Sequence, residues 1–361
     1  MGKLSSRWRI GLKRLWRYTK VLVLLGLMLV LGLLSPVLYV ETICQGSGEA
    51  KPYESLIASE FHRPESRTLM TYPEWNIVHA YEDYAEVIAK RDPHEFGFVG
   101  AVVGFWASLC SLSVASSAYG EIDGPTKQMV YVIGVSFTAE LLLKAAYEET
   151  LGRLFTAIRG DKRAPLDELS ASHAKNFAKF LQQVPWYKWR FREDHAELRV
   201  KATKAWRDVE RRLALGFEYS MKAYYANVIA EAVSQVGQDE LTLRMIIRNV
   251  DSTFMEQFDQ VKVLSVRPEG IEIETTRYRA LTHLLQNWAN AGADFVEISG
   301  NDDILITVLS QQPSMEGANY SILRQGFGDY RHLAVLKVAD LADNLRILQA
   351  SGQRLEHVYD Y

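Results

Sequence analysis

The chain has almost no cysteine: two in 361 residues. Two cysteines exclude a disulfide framework of the kind that staples small secreted folds. Cys44 follows the first apolar run and Cys110 lies inside the second, so they are not expected to pair. Charge of one sign is missing too. The formal net charge is −3, which gives no whole-chain argument for nucleic acid. No acidic residue occurs before Glu41. Reaction motifs are also absent: there is no Gly-x-Ser-x-Gly, phosphate loop, His-Glu-x-x-His or paired Cys-x-x-Cys. No catalytic class is therefore selected, and no cofactor is implied.

What is present is a long apolar run at residues 21–40. About 20 apolar residues suffice for a helix to cross a ~30 Å hydrocarbon core. Lys3, Arg7, Arg9, Lys13, Arg14, Arg17 and Lys20 precede it. Positive flanks stay inside, so the amino terminus is expected in the cytoplasm. No small-x-small cleavage site follows the run, so it reads as an uncleaved anchor.

Two further runs are long enough to span. Residues 96–118 carry no charge, and Gly100, Gly104 and Ser108 form a small-residue face suited to close helix packing. The third run begins at 128 and continues helically toward Ile158, with Glu140, Lys144 and Glu148 at four-residue steps on one face. Asp123-Gly124-Pro125 marks the turn between the two runs. Together they predict a transmembrane hairpin that returns the chain to the side it left. Glu140, Lys144 and Glu148 read as a paired structural stripe or as a proton- or ligand-handling site.

The segment 41–95 holds a helix opened by Pro73 and Glu74. On it, His79 shares a face with Glu82 or Asp83, a weak constellation for acid–base chemistry. His62, His79 and Asp83 are the corresponding metal-ligand candidates. The same residues also suit a solvated, ion-paired helix. Farther on, Trp186-Tyr187-Lys188-Trp189 interleaves rings with a cation, as suits the membrane interface.

From Glu193 to Val236 the pattern predicts one helix. Its buried stripe would be Leu198, Ala202, Ala205, Val209, Leu213, Phe217, Tyr224, Val228 and Ala232. Gly237 should end it, and Asp239 should cap a short helix through Ile247. Strands follow at 261–266, 271–275, 295–299, 304–309, 333–338 and 355–359, with helices at 277–291 and 340–348. The pair 295–299 and 304–309 reads as a hairpin around Gly300-Asn301-Asp302-Asp303, a turn without full calcium-loop spacing.

The expected fold class is an α+β membrane protein with three transmembrane helices, a helical middle and a small C-terminal α+β sandwich, ferredoxin-like in its preferred topology. The expected units are a tail at 1–20, an anchor at 21–40, an extracytoplasmic segment at 41–95, the hairpin at 96–158, a helical region at 159–258 and the α+β domain at 259–361. The expected function is that of an accessory or scaffold protein in a bacterial inner membrane. Its periplasmic domain would bind protein or lipid, and its hairpin would meet a membrane-protein partner or a second copy. A membrane-surface enzyme or metal protein is the alternative, and an oligomeric transporter component the third reading. Nucleic acid is not an expected partner.

Overall fold

The computed structural model describes residues 3–46, 53–236 and 241–359. Gly237 and Asp239 lie outside them. Helix α1 (Lys3–Ile43) carries the apolar run. Its stretch Tyr18–Ile43 is long and apolar enough to cross a membrane, and none of its most apolar window is buried by the rest of the chain. The helical half continues with α2 (Glu65–Leu69), α3 (Tyr72–Lys90), α4 (Phe98–Ser116) and α5 (Gly124–Tyr147). A π turn (Glu148–Gly152) joins α5 to α6 (Arg153–Arg159). Helices α7 (Pro165–Leu181), α8 (Phe191–Lys201) and α9 (Trp206–Val236) complete it.

Cys44 and Cys110 are disulfide-bonded across 66 residues, contrary to the expectation from sequence. That expectation placed Cys110 inside a spanning segment and Cys44 outside one. Instead the last turn of α1 packs on α4, with Val40 and Cys44 in the same buried cluster as Phe105 and Leu109.

The single helix expected over 193–236 is two, broken between Lys201 and Trp206. Leu198 of α8 is buried as expected, but the burial along α9 is reversed. Leu213, Phe217, Tyr224 and Val228 are exposed, whereas the neighbouring Arg207, Asp208, Glu210 and Arg211 are buried. The charged face turns inward because each ion has a partner. Arg207 donates to Asp167 and Glu210, and Arg211 to Glu148 and Glu210. Ala232 lies outside the described side chains.

The C-terminal part is two four-stranded antiparallel sheets. The first holds β1 (Thr242–Arg248), β2 (Val261–Arg267), β3 (Gly270–Thr276) and β4 (Asp294–Ile298), in the order β2-β3-β1-β4. Helix α10 (Ser252–Met255) lies between β1 and β2, and α11 (Tyr278–Asn290) between β3 and β4. The second holds β5 (Asp303–Ser310), β6 (Tyr320–Leu323), β7 (Tyr330–Lys337) and β8 (Arg354–Val358), in the order β6-β7-β5-β8. Helix α12 (Val338–Ala350) precedes β8. Two expectations fail here. Residues 242–247 are strand rather than helix, since alternate residues of Leu-Arg-Met-Ile-Ile fill a sheet face. Residues 295–299 and 304–309 form no hairpin, because β4 and β5 belong to different sheets.

The two sheets repeat one plan. Met245 pairs with Ile298 and Ile273 in the first, and Ile306 with Val358 and Ala334 in the second. The ladder to the last strand shifts register at the matching place, between Ile246 and Ile247 and between Thr307 and Val308. Leu281, Leu285, Trp288, Phe295 and Ile298 recur 60 positions later as Leu341, Leu345, Leu348, Leu355 and Val358. Gly292 and Gly352 sit just past the two helices with φ of 97° and 74°. A Cβ is disfavoured in that left-handed region.

One core serves both repeats. Arg346 of α12 reaches across to the carbonyls of Ala289 and Ala293, and the Val358 amide donates to Thr282 of α11. Strand β5 is buried on both faces. Ile304, Ile306 and Val308 enter the shared core, while Leu305 joins the cluster of the helical half beside Leu69 of α2. The α+β part is thereby bound to the helical part.

Candidate functional site

Helix α3 presents two chemical faces, and both are buried against distant parts of the chain. Its first turn carries Pro73, which has no amide to leave unpaired there, and Glu74, which suits the positive end. His79, Glu82 and Asp83 face β7, β8 and the loop after β6. Glu82 Oε2 lies 3.8 Å from His79 Nδ1, and Glu356 Oε2 lies 3.8 Å from His79 Nε2. Tyr359 OH is 3.4 Å from His79 Nε2. Arg331 grips both oxygens of Glu356, with Nη2 2.7 Å from Oε1. Arg324 is paired with Asp329 at 3.0 and 3.1 Å and lies 3.7 Å from Glu82. Asp83 accepts from the Gln325 amide at 3.0 Å. A ring stack closes the floor, with Trp75 and His357 centroids 3.7 Å apart.

Burial pushes His79 below its ordinary range, and Arg331 adds to this against Glu356 and Glu82. A neutral imidazole in contact with carboxylates can hold a cation or take a proton. His79, Glu82 and Glu356 offer ligand atoms within 4.8 Å of one another. The two arginines compete for the same oxygens, however, and a dication would have to displace Arg331. His79 Nδ1 and Asp83 Oδ1 are buried without a hydrogen-bond partner. As it stands, the cluster is a charged clasp between α3 and the second sheet. Sequence reasoning singled out His79, Glu82 and Asp83 but missed Arg324, Arg331 and Glu356, which lie more than 240 positions away. The proposed ligand His62 is exposed beside Gly300 and joins neither metal-capable cluster among the described residues.

The other face of α3 meets α5 and α9. Lys144 lies 2.9 Å from Glu218 and 3.5 Å from Glu140, and Lys222 lies 2.9 Å from Glu140 and 3.0 Å from Glu218. Tyr81 donates to Glu140 at 2.7 Å. Burial opposes ionisation of Glu218, yet Lys144 and Lys222 hold it down at about 2. Glu148 instead pairs with Arg211 at 2.8 Å. The expected Glu140–Lys144 pair is thus present, but inside a four-charge ring. A cavity of about 40 Å³ adjoins this ring, lined by Tyr81, His173, Phe177, Glu218 and Lys222 among others. That is room for about three waters, against about 300 Å³ or more for a typical organic-ligand site.

A third cluster joins the turn before β5 to α2. Glu65 accepts from the amides of Asp302 and Asp303 at 3.1 and 3.0 Å, and Lys337 bridges both aspartates. Burial raises Glu65 to about 7. On the first sheet, buried Glu297 accepts from Tyr53, Ser55 and the amides of Leu56 and Ile57. It is the repeat counterpart of His357, 60 positions on.

The remaining sequence-predicted positions lie apart from these clusters. Gly104 approaches Ile322 of β6, while Gly100 faces open space and Ser108 returns its hydroxyl to Phe105. Trp186 stacks on Tyr225, and Trp189 donates to Asp194. Tyr187 is partly buried, and Lys188 is exposed. Comparison with known families, curated proteins and solved structures finds no match to this chain.

Asp83 supplies a pH test of the clasp. Burial raises it from 3.8 to about 7, against the pull of Arg331, the Gln325 amide and Arg324. Stability tied to the protonated carboxyl is fully present below 3.8 and is lost as pH rises through about 7. Asp83→Asn keeps a neutral group at every pH. The variant is expected to melt above the parent at pH 8 and to converge with it near pH 4. Parallel melting curves at both pH values would show that Asp83 is ionised throughout.

Proposed function

We propose that this chain is a membrane-anchored accessory protein whose folded part lies outside the cytoplasm and docks a protein partner. The exposed stripe on α9 carries this reading. Leu213, Phe217, Met221, Tyr224 and Val228 are 46–71% exposed on one face of a 31-residue helix. A contiguous apolar face held this rigidly marks an interaction surface more often than chance exposure. The buried ion pairs beneath it, from Arg207 and Arg211, fix that face outward.

The bare α1 supports a bilayer anchor. The Cys44–Cys110 bond supports an oxidising compartment beyond it, the periplasm if the membrane is a bacterial inner membrane. The two repeats fit the ferredoxin-like β-α-β-β-α-β plan, with the first crossover reduced to α10 in one and to a loop in the other. That plan hosts many functions and selects none.

Native mass spectrometry of the protein extracted in mild detergent tests the reading. A reproducible extra protein mass is expected, and it should be lost on Phe217→Glu or Tyr224→Glu, which change only exposed positions. Retention of that mass in both variants, or a bare monomer from the parent, overturns it. A metal-binding role is the second reading, favoured by the approach of His79, Glu82 and Glu356. Metal analysis of the parent and of His79→Ala separates it from the first.

A further inference from the structure

The hairpin expected to span the membrane is held by its surroundings in a different place. Its first helix, α4, follows the second sheet from end to end. The Gly97 amide donates to Gln325 at 2.7 Å, Gly104 lies against Ile322, and Ser111 donates to the Asn319 carbonyl at 2.8 Å. At the tip, Tyr119 borders a small cavity with Asp303 and Val335. If α4 crossed a ~30 Å hydrocarbon core, strand β6 and its polar flanks would enter the core with it. Open sheet edges are not tolerated against lipid.

The anchor gives an independent argument. Gly46, just past α1, touches Ser117 at the hairpin tip, and Cys44 is bonded to Cys110 in the helix leading to it. Glu41 accepts from Tyr131 at 2.5 Å and lies 3.3 Å from Lys127 in the helix leaving the tip. The tip is therefore on the side of the membrane where α1 ends. A hairpin that entered from that side and crossed would place its tip at the opposite leaflet.

One face of α5–α6 is nevertheless mostly apolar, and the exposed acid on it, Glu149, is paired with Arg153. Met129, Val132, Leu143, Leu154 and Ile158 are 43–73% exposed. Met129, Val132 and Leu143 recur at three and eleven residues along α5, and Leu154 and Ile158 follow four residues apart on α6 beyond the π turn. At 1.5 Å per residue the stripe is about 40 Å long. It starts at the Glu41–Lys127 contact, where the anchor leaves the membrane. Lys127 and Arg153 flank it with exposed ammonium and guanidinium groups.

We propose that the hairpin does not cross the bilayer and that the α5–α6 stripe instead lies in the headgroup–acyl boundary of the membrane that holds α1. Its occupant is lipid. Helices with one apolar face and flanking cations settle there, with the apolar side ~5–10 Å deep. The bilayer is the surface that continuity with α1 brings to this stripe. Only α1 then spans, and the α5–α6 stripe serves to orient the folded part on the membrane.

The test uses the full chain in phosphatidylcholine vesicles. Both native cysteines are bonded to each other, so an introduced thiol is the free one. Glu121→Cys at the tip and Glu256→Cys in the α+β part should react with a membrane-impermeant maleimide to the same extent before the vesicles are opened. Bimane on Leu143→Cys should be quenched by spin-labelled lipid at least twofold more than bimane on Glu193→Cys. A tip that reacts only after permeabilisation, while Glu256→Cys reacts before it, overturns the inference in favour of a spanning hairpin. A reactive tip with Leu143→Cys quenched no more than Glu193→Cys overturns the lipid contact. All four variants change exposed positions, so loss of fold does not confound the result.

Discussion

Replacing Cys44 and Cys110 together by alanine is expected to lower stability by about 4 kcal/mol, since the bond closes 66 residues and restrains the unfolded chain accordingly. For a protein of this size that corresponds to a fall in Tm of about 5 °C. The effect should be local as well as global. The bond fixes the end of α1 to α4, so the variant should also be cleaved faster by protease in the connection after Cys44. The parent treated with a reductant should move to the variant's Tm, and the variant itself should not respond. Cell-level labelling adds the compartment. A permeant thiol reagent applied without reductant should modify neither cysteine, because the bond persists only where the surroundings are oxidising. Full modification in intact cells would place the folded part in the cytoplasm and reverse the proposed orientation.

Much of the fold is legible in local pattern, and what is not legible depends on partners far along the chain. The long apolar helix α1, the helix Tyr72–Lys90, the strands Val261–Arg267 and Gly270–Thr276 and the helix Tyr278–Asn290 follow from apolar period and turn residues alone. The repeat is hidden because it survives only at apolar core positions and at Gly292 and Gly352. Apolar period states that a face avoids water, but not what covers it. On α9 that distinction reverses the reading. The stripe through Leu213 and Phe217 is outside, because Arg207 and Arg211 find carboxylates on α7, the π turn and their own helix. The hairpin meets the same ambiguity. Its small-residue face at Gly104 fits a sheet edge at Ile322 as well as it would fit a second helix in lipid.

The candidate site was half legible. His79, Glu82 and Asp83 are adjacent on one helix and announce a cluster. Their charge balance is set by Arg324, Arg331 and Glu356, which no local pattern connects to them. The carboxylate–imidazole group therefore looks like a vacant metal site in sequence and like an ion-paired clasp in three dimensions. The repeat offers the one signal that could have found the missing half. Glu356 and His357 fall 60 positions after Val296 and Glu297, on the last strand of their repeat, and Glu297 is itself a buried carboxylate that binds another part of the chain.

The clasp makes the second large prediction. Arg331→Met is expected to destabilise the fold by about 3–5 kcal/mol, because it leaves the Glu356 carboxylate buried without its bidentate partner. The remaining cation, Arg324, lies 3.8 Å from Glu356 and is already engaged by Asp329. The double variant Arg331→Met/Glu356→Leu removes both charges and refills the volume, and it should recover most of the loss, as buried pairs are often replaceable by apolar side chains. pH separates this account from a mere packing defect. Burial opposes ionisation of Glu356, but Arg331 and its neighbours hold the carboxyl well below the usual 4.5. Stability from that pair is present above 4.5 and is lost as pH falls toward the depressed value. In Arg331→Met the orphaned carboxyl takes up a proton instead, so the variant's deficit should be largest at pH 7 and shrink by pH 4. Denaturant titrations at the two pH values measure this directly. An equal deficit at both, with no recovery in the double variant, would assign the loss to the shape of the arginine stem rather than to its charge.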